Sequence, residues 1–501
     1  MSTELQQLKT HLAELSDINA VVALLGWDQA SIMPAGAGEG RGRQMAYMSR
    51  LSHEKFTSPE IGRLLDMLQK QAESWDPDSI DAALVRVTAK DYAQATRIPT
   101  EFVSAFTEHS NQSYMTWAAA RPANDFRSVV PVLEKTVEMS RQISRYYGEG
   151  AHVADALIDL SDSGMTVATL RPLFATLRER LVPLVEKIVA QAPADDSCLR
   201  GPFPIQAQLD YAAKLAAHIG YDMNRGRLDT APHPFCAPLQ YGDVRITTRA
   251  REDDLGDAIF SVIHEVGHAM YEQGVAKELD GTSLASGTSS GVHESQSRLW
   301  ENIVGRSKSF WQQNYPGLQA VFPVQLGNVS LDTFYRAINK VSRSLIRTDA
   351  DEVTYNLHVI VRFELELELL EGTLAVKDLA EAWHERYQKA LGITPPDDKD
   401  GVLQDIHWYA GTVGGAFQGY TIGNIMSAQI YEAALTKDST VAPAIAQGDY
   451  QPLLRWLQTN LYATGRRYDA PTTLKRVTGQ ELSVEPYFRY LSGKYAELYS
   501  I

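Results

Sequence analysis

"GDAIFSVIHEVGHAMYEQG", residues 256–274, decides how the rest of the chain is read. It has the pattern of an amphipathic helix over 256–273, with Asp253 and Asp254 placed to cap its start and Gly274 to end it. His264 and His268 stand four residues apart and so share one face, which lets two imidazoles converge on one ion. Glu265 follows the first histidine, beside the ion but not bound to it, where it can take a proton from an attacking water. Gly267 costs about 1 kcal/mol relative to alanine inside a helix. It therefore points to a close approach to the backbone, which tight helix packing explains as well as a ligand does.

Two histidines need a third ligand, because a catalytic zinc site takes three protein groups and leaves a position for water. Downstream, "GTSSGVHESQSRLWENIVG" (287–305) reads as a loop entering a second helix. Glu294 is the expected ligand there, and His293 is its rival. Taken alone, Glu294 would be an ordinary acid at a helix start.

The bulk numbers narrow the field. The chain has 501 residues, 44% hydrophobic and 22% charged, the balance of a soluble globular protein. A net charge of −15 argues against a surface that tracks phosphates, so nucleic acid is not an expected partner. The start, "MSTELQQLKTHLAEL", lacks a signal-peptide pattern, and "AVVALLGW" is too short to span a bilayer. Cytoplasm is the expected location and no membrane contact is expected. Cys198 and Cys236 form no C-x-x-C pair, so neither a disulfide framework nor a thiolate metal site is suggested.

The fold expected is mainly α, a large helical body of one domain over 1–501, with two lobes flanking a groove. "LRPLFATLRERLVPLVEKIVAQ" (170–191) repeats leucine at helical spacing. "FELELELLEG" (363–372) alternates like a strand, yet Leu357, Val361, Leu365 and Leu369 recur every four residues, so it is read as a helix stopped by Gly372. Residues 232–249, with two prolines, a Gly-Asp turn and a β-branched run, predict a small hairpin or sheet.

Six motifs together make the sequence resemble the carboxypeptidase Taq family of zinc metallocarboxypeptidases. They are "HPF" (233–235), "DVRIT" (243–247), "HEVGH" (264–268), "HESQ" (293–296), "IRTDADE" (346–352) and "GVLQDIHW" (401–408). The resemblance implies a nearly all-α body with a deep substrate groove, similar in shape to neurolysin and angiotensin-converting enzymes. It also implies homodimers, and release of single residues from peptide C-termini with broad specificity.

A carboxypeptidase must hold a free carboxylate, and the planar fork of arginine suits that task. Arg347 is the first candidate and Arg245 the second, with Arg343 nearby; pairing with Asp349, Asp351 or Asp243 is the plain alternative. Asp351 and Glu352 can orient metal ligands or the arginine. His407 and Tyr420 are candidate donors to the oxyanion, or else buried aromatics satisfied by backbone. Gln404 and Asp405 can fix the His407 tautomer, and His233 shapes the groove or meets substrate. His358 is read as a core histidine, and Glu364, Glu366 and Glu368 as a solvated or inter-helix face.

The activity expected is therefore zinc-dependent removal of C-terminal residues, with Zn2+ held by His264, His268 and Glu294 and with Co2+ or Mn2+ as substitutes. A zinc oligopeptide endopeptidase would share the metal site and lack the carboxylate clamp. An aminopeptidase would need an amine-binding strand upstream, which is not seen. A non-catalytic helical binding protein would have no use for Glu265.

Overall fold

Leu170, Leu177, Leu181 and Leu184 line the buried side of a helix that runs from Val167 to Val189, close to the span read from the sequence. Helices of this kind make up most of the computed structural model, which describes residues 2–148 and 150–501. A second, smaller cluster joins Leu5, Leu8, Leu12 and Leu15 of the Thr3–Ser31 helix to Ile61, Leu65, Leu84 and Leu279. No helix of the described residues is long and apolar enough to cross a membrane.

The alternating stretch lies in a helix, Tyr355–Glu371, ended by Gly372 in the left-handed region at φ +81°. Fourteen of its seventeen residues are buried, which places it at the centre of the body and explains why its pattern is not amphipathic. Glu364 and Glu368 leave it toward Arg178 and Arg386 on neighbouring helices. Glu366 points the other way into the core, where it accepts from the Trp408 indole at 2.8 Å. So two of the three acids make the expected inter-helix face, and the third does not.

The predicted hairpin is β2 (Cys236–Gln240) with β3 (Asp243–Thr248), antiparallel with an irregularity between Pro238 and Gln240. A third strand, β1 (Leu228–Thr230), pairs parallel to β3 on its other side, giving the order β1-β3-β2. The end of β3 is tied to the H-E-x-x-H helix by the Thr248 and Ser261 hydroxyls, 2.8 Å apart.

Candidate metal centre

The H-E-x-x-H helix runs Leu255–Gln273, and Asp254, not Asp253, caps it by accepting from the amides of Gly256 and Asp257 at 2.9 and 3.3 Å. Gly274 ends it at an ordinary φ of −86°; glycine is needed there because a Cβ would lie 2.6 Å from the Tyr462 ring. Gly267 faces the second helix, Ser290–Arg298, where a Cβ would stand 2.6 Å from the Gln296 carbonyl oxygen. Packing, not a ligand, accounts for this glycine. On its far side the second helix meets Gly423 of the Gln418–Lys437 helix, where a Cβ would lie 2.6 Å from Cβ of Glu294. The Ser289 hydroxyl and buried Asp162 cap its start, accepting from Val292 and Gly291 amides at 3.1 and 2.6 Å.

This packing brings His264, His268 and Glu294 together, with one ligand atom from each lying within 4.8 Å of the others. Oε2 of Glu294 stands 3.7 Å from Nε2 of His264 and 3.5 Å from Nε2 of His268. Each remaining nitrogen already has a partner. Nδ1 of His264 is 2.9 Å from Oε2 of Glu301, and Nδ1 of His268 is 2.6 Å from Nδ1 of His293. Proton counting then sets the tautomers. If Nε2 of His268 is kept bare for a cation, its Nδ1–H donates to His293, whose Nε2–H in turn donates to Glu272 at 2.7 Å. His293 therefore supports a ligand and lies outside the ligand cluster. Two bare imidazole nitrogens and one carboxylate oxygen fit a divalent metal.

Burial opposes charge throughout this centre, and the acids answer it. It lowers the His268 pKa to about 4, keeping that imidazole neutral. For His264 the same burial is outweighed by Glu294 and Glu301, and its pKa rises. Burial also works against the charge of Glu294, yet Arg298 and the two histidines hold this carboxylate well below the usual range. At Glu265 burial outweighs the pull of His264, and with Glu294 and Glu301 nearby its pKa rises to about 7. A carboxyl titrating there can both accept and return a proton near neutrality.

Arg347, Arg245, His233, His407 and Tyr420 fall in two places. Arg347 is 6% exposed and gives Nε and Nη2 to Asp405, at 3.3 and 2.8 Å, and Nη1 to the Tyr355 hydroxyl at 3.1 Å. Its guanidinium carbon lies 5.2 Å from the Tyr420 ring, and Nε2 of His407 is 3.3 Å from the Tyr420 hydroxyl. His233 is exposed, and partial desolvation, with Arg249, Arg347 and His407, lowers its pKa. Arg245 stands apart on β3, paired with Asp243 at 2.9 and 2.7 Å and stacked on Trp27 at 4.3 Å. Asp405 and Gln404 do not fix the His407 tautomer. Asp405 is shared by Arg347 and Arg362 and stays 3.6 Å from Nδ1 of His407, while Gln404 accepts from Arg362 at 2.7 Å.

The sequence matches the carboxypeptidase Taq (M32) metallopeptidase family over residues 7–495. The chain belongs to the M32 family. It is 42% identical to thermostable carboxypeptidase 1 of Thermus thermophilus, covering 99% of this chain and 98% of that one. Carboxypeptidase 1 of Bacillus subtilis is 37% identical, over 97% of each chain. The crystal structure of the M32 carboxypeptidase of Deinococcus radiodurans superposes with a TM-score of 0.97 at 48% identity, each chain covered completely. As an M32 member this chain is an enzyme, a hydrolase of the metallocarboxypeptidase class, and its membership implies a metal ion.

Several residues around the candidate metal centre and the Arg347 group carry no motif in the sequence: Glu301, Glu272, Arg298, Tyr355 and Arg362. Helical spacing carried a signal for three of them. Glu272 is four residues beyond His268, and Arg298 and Glu301 are four and seven beyond Glu294. Glu301 sits in a π-helical turn, Leu299–Val304, a widening that is frequent at functional sites. His358 is fully buried against the Tyr387 hydroxyl at 3.0 Å, a core histidine as expected. Asp351 accepts from the amides of Ser342, Val353 and Thr354, and Glu352 pairs with Lys494 at 2.7 Å; both hold their loop rather than a ligand.

Proposed function

We propose that this enzyme is a zinc-dependent carboxypeptidase that releases residues one at a time from peptides with a free C-terminus. The observation that carries this reading is Arg347. Three of its five N–H groups are engaged, leaving one on each Nη for a carboxylate, in a group that holds two guanidiniums against one Asp405. An endopeptidase has no use for such a group. Zinc is supported by the two-nitrogen, one-oxygen donor set, which Co2+ or Mn2+ can also occupy. The homodimer, single domain, cytoplasmic location and broad specificity expected from the sequence go with this reading.

A zinc ion held by His264, His268 and Glu294 would polarise the scissile carbonyl as a Lewis acid. Glu265 takes the proton of the attacking water on its carboxylate as the new C–O bond forms. It then passes that proton to the leaving nitrogen as the C–N bond breaks. Burial raises the Tyr420 pKa to about 12, so its hydroxyl stays protonated and can donate to the oxyanion, with His407 beside it. Arg347 fixes the terminal carboxylate, which sets the last peptide bond as the one cut.

The test is mass spectrometry of one peptide as free acid and as C-terminal amide, with a chelated sample and Glu265→Gln as controls. A ladder of single losses from the acid alone is expected. Internal cuts in both forms would replace this reading by the endopeptidase, and metal binding with no cleavage of either would favour a binding protein.

A further inference from the structure

Glu294 presents two oxygens, and they are not equivalent. Oε2 faces the two Nε2 atoms and accepts from the Ser297 hydroxyl at 3.1 Å. Oε1 accepts from Nε of Arg298 at 2.7 Å. Nη1 of Arg298 also reaches Oε2 of Glu301 at 3.3 Å, the oxygen that accepts from His264. One guanidinium thus touches a ligand and the partner of another. It lies over the ring of Tyr355, 4.5 Å from the centroid, and that ring is 7% exposed. The hydroxyl of the same tyrosine accepts from Arg347.

We propose that Arg298 is a positioning residue that fixes which oxygen of Glu294 meets the metal, and that Tyr355 ties its placement to Arg347. The metal centre and the carboxylate clamp then share one support. Tyr355 offers its face to one arginine and its edge oxygen to the other, so moving the ring moves both. Lysine at 298 keeps the charge but loses the planar fork and its stacking. The inference rests on the ligand and clamp roles proposed above.

Cobalt serves as the probe, its affinity measured by competition with a chelating dye and its geometry by visible absorption. Arg298→Lys is expected to weaken cobalt ~10- to 100-fold and to alter the spectrum, as loss of a group behind a ligand does. Tyr355→Phe keeps the ring and drops the hydroxyl; it is expected to leave cobalt affinity within about twofold while raising KM for free-acid peptides ~10-fold or more. Tyr355→Leu, without the ring, is expected to weaken cobalt as well as raise KM. Arg298→Lys with wild-type affinity and spectrum would overturn the role of Arg298. Equal cobalt affinity in Tyr355→Leu and Tyr355→Phe would overturn the shared support. Circular dichroism of the metal-free variants checks folding, and Tyr355→Leu carries the test if Arg298→Lys does not fold. A wild-type protein without cobalt affinity, or Glu294→Ala that binds as well as wild type, would refute the ligand assignment itself and is scored separately.

Discussion

Two buried charged groups lie on either side of Tyr355, and they are built in opposite sense. Around the proposed metal ligands, Glu294 and Glu301 pair with Arg298 and Arg306, Glu272 pairs with His293, and the imidazole of His268 is held neutral while that of His264 is drawn toward its charged form. At the clamp, Arg347 and Arg362 share a single carboxylate, Asp405. Among these residues the first group holds more carboxylates than guanidiniums, and the second more guanidiniums than carboxylates. Burying an uncompensated charge is expensive, so each arrangement makes sense when its missing partner is a ligand, a cation in one and a peptide carboxylate in the other. The difference teaches that the imbalance of a buried cluster reports the sign of what it binds.

The sharpest test of the acidic side is Glu265→Gln. Turnover should fall ~10²- to 10⁴-fold through loss of proton transfer, while metal stoichiometry by elemental analysis stays at the wild-type value. A metal-free variant would mean that Glu265 supports the ligands rather than the chemistry. On the basic side, Arg347→Ala should lower kcat/KM for free-acid peptides ~10- to 150-fold, the worth of a charged hydrogen bond or two. Equal losses on acid and amide substrates would break the assignment of this group to a carboxylate.

Glu366 sharpens the comparison, because an ionised Glu366 beside Arg362 would cancel the positive excess. Burial raises its pKa to about 7 from an ordinary 4.5, with Trp408 as its hydrogen-bond donor. A raised carboxyl pKa means that the folded state binds the proton more tightly than the unfolded chain. Its stabilising contribution is complete below about 4.5 and is lost as pH rises toward 7. Glu366→Gln should therefore be more stable than wild type above pH ~7, by up to about 3 kcal/mol, with the gap closing at acid pH. Thermal melts from acid to alkaline pH measure it, and parallel curves would show that Glu366 is charged in the fold. The smallest effect belongs to Arg245→Ala. Arg245 is already satisfied by Asp243 and Trp27 in a partly exposed pair, so kcat/KM should change by no more than about 1 kcal/mol, or ~5-fold. A loss rivalling that of Arg347→Ala would make Arg245 the clamp.

The metal side was legible in the sequence because it is written at helical spacing. His264, His268 and Glu294 sit on two consecutive helices whose faces follow from their periodicity. The helical reading of 355–371 and the β2–β3 hairpin were legible for the same local reason. The clamp was only half legible. "IRTDADE" and "GVLQDIHW" marked Arg347 and Asp405, but Arg362 sits within an otherwise apolar helix, and nothing local says that Asp405 would take two arginines and leave His407. β1 escaped because three residues carry no period. The reason for Gly274 escaped because its neighbour, Tyr462, comes from the far end of the chain.

The helix that carries Glu294 lies between two glycines of its neighbours, Gly267 on one side and Gly423 on the other. At Gly267 the neighbour is the backbone of Gln296 and Ser297, and at Gly423 it is Cβ and Cγ of Glu294 itself. The placement of this helix is thus supplied when the chain folds and not by an arriving ion. Loading the enzyme becomes a step separate from making it.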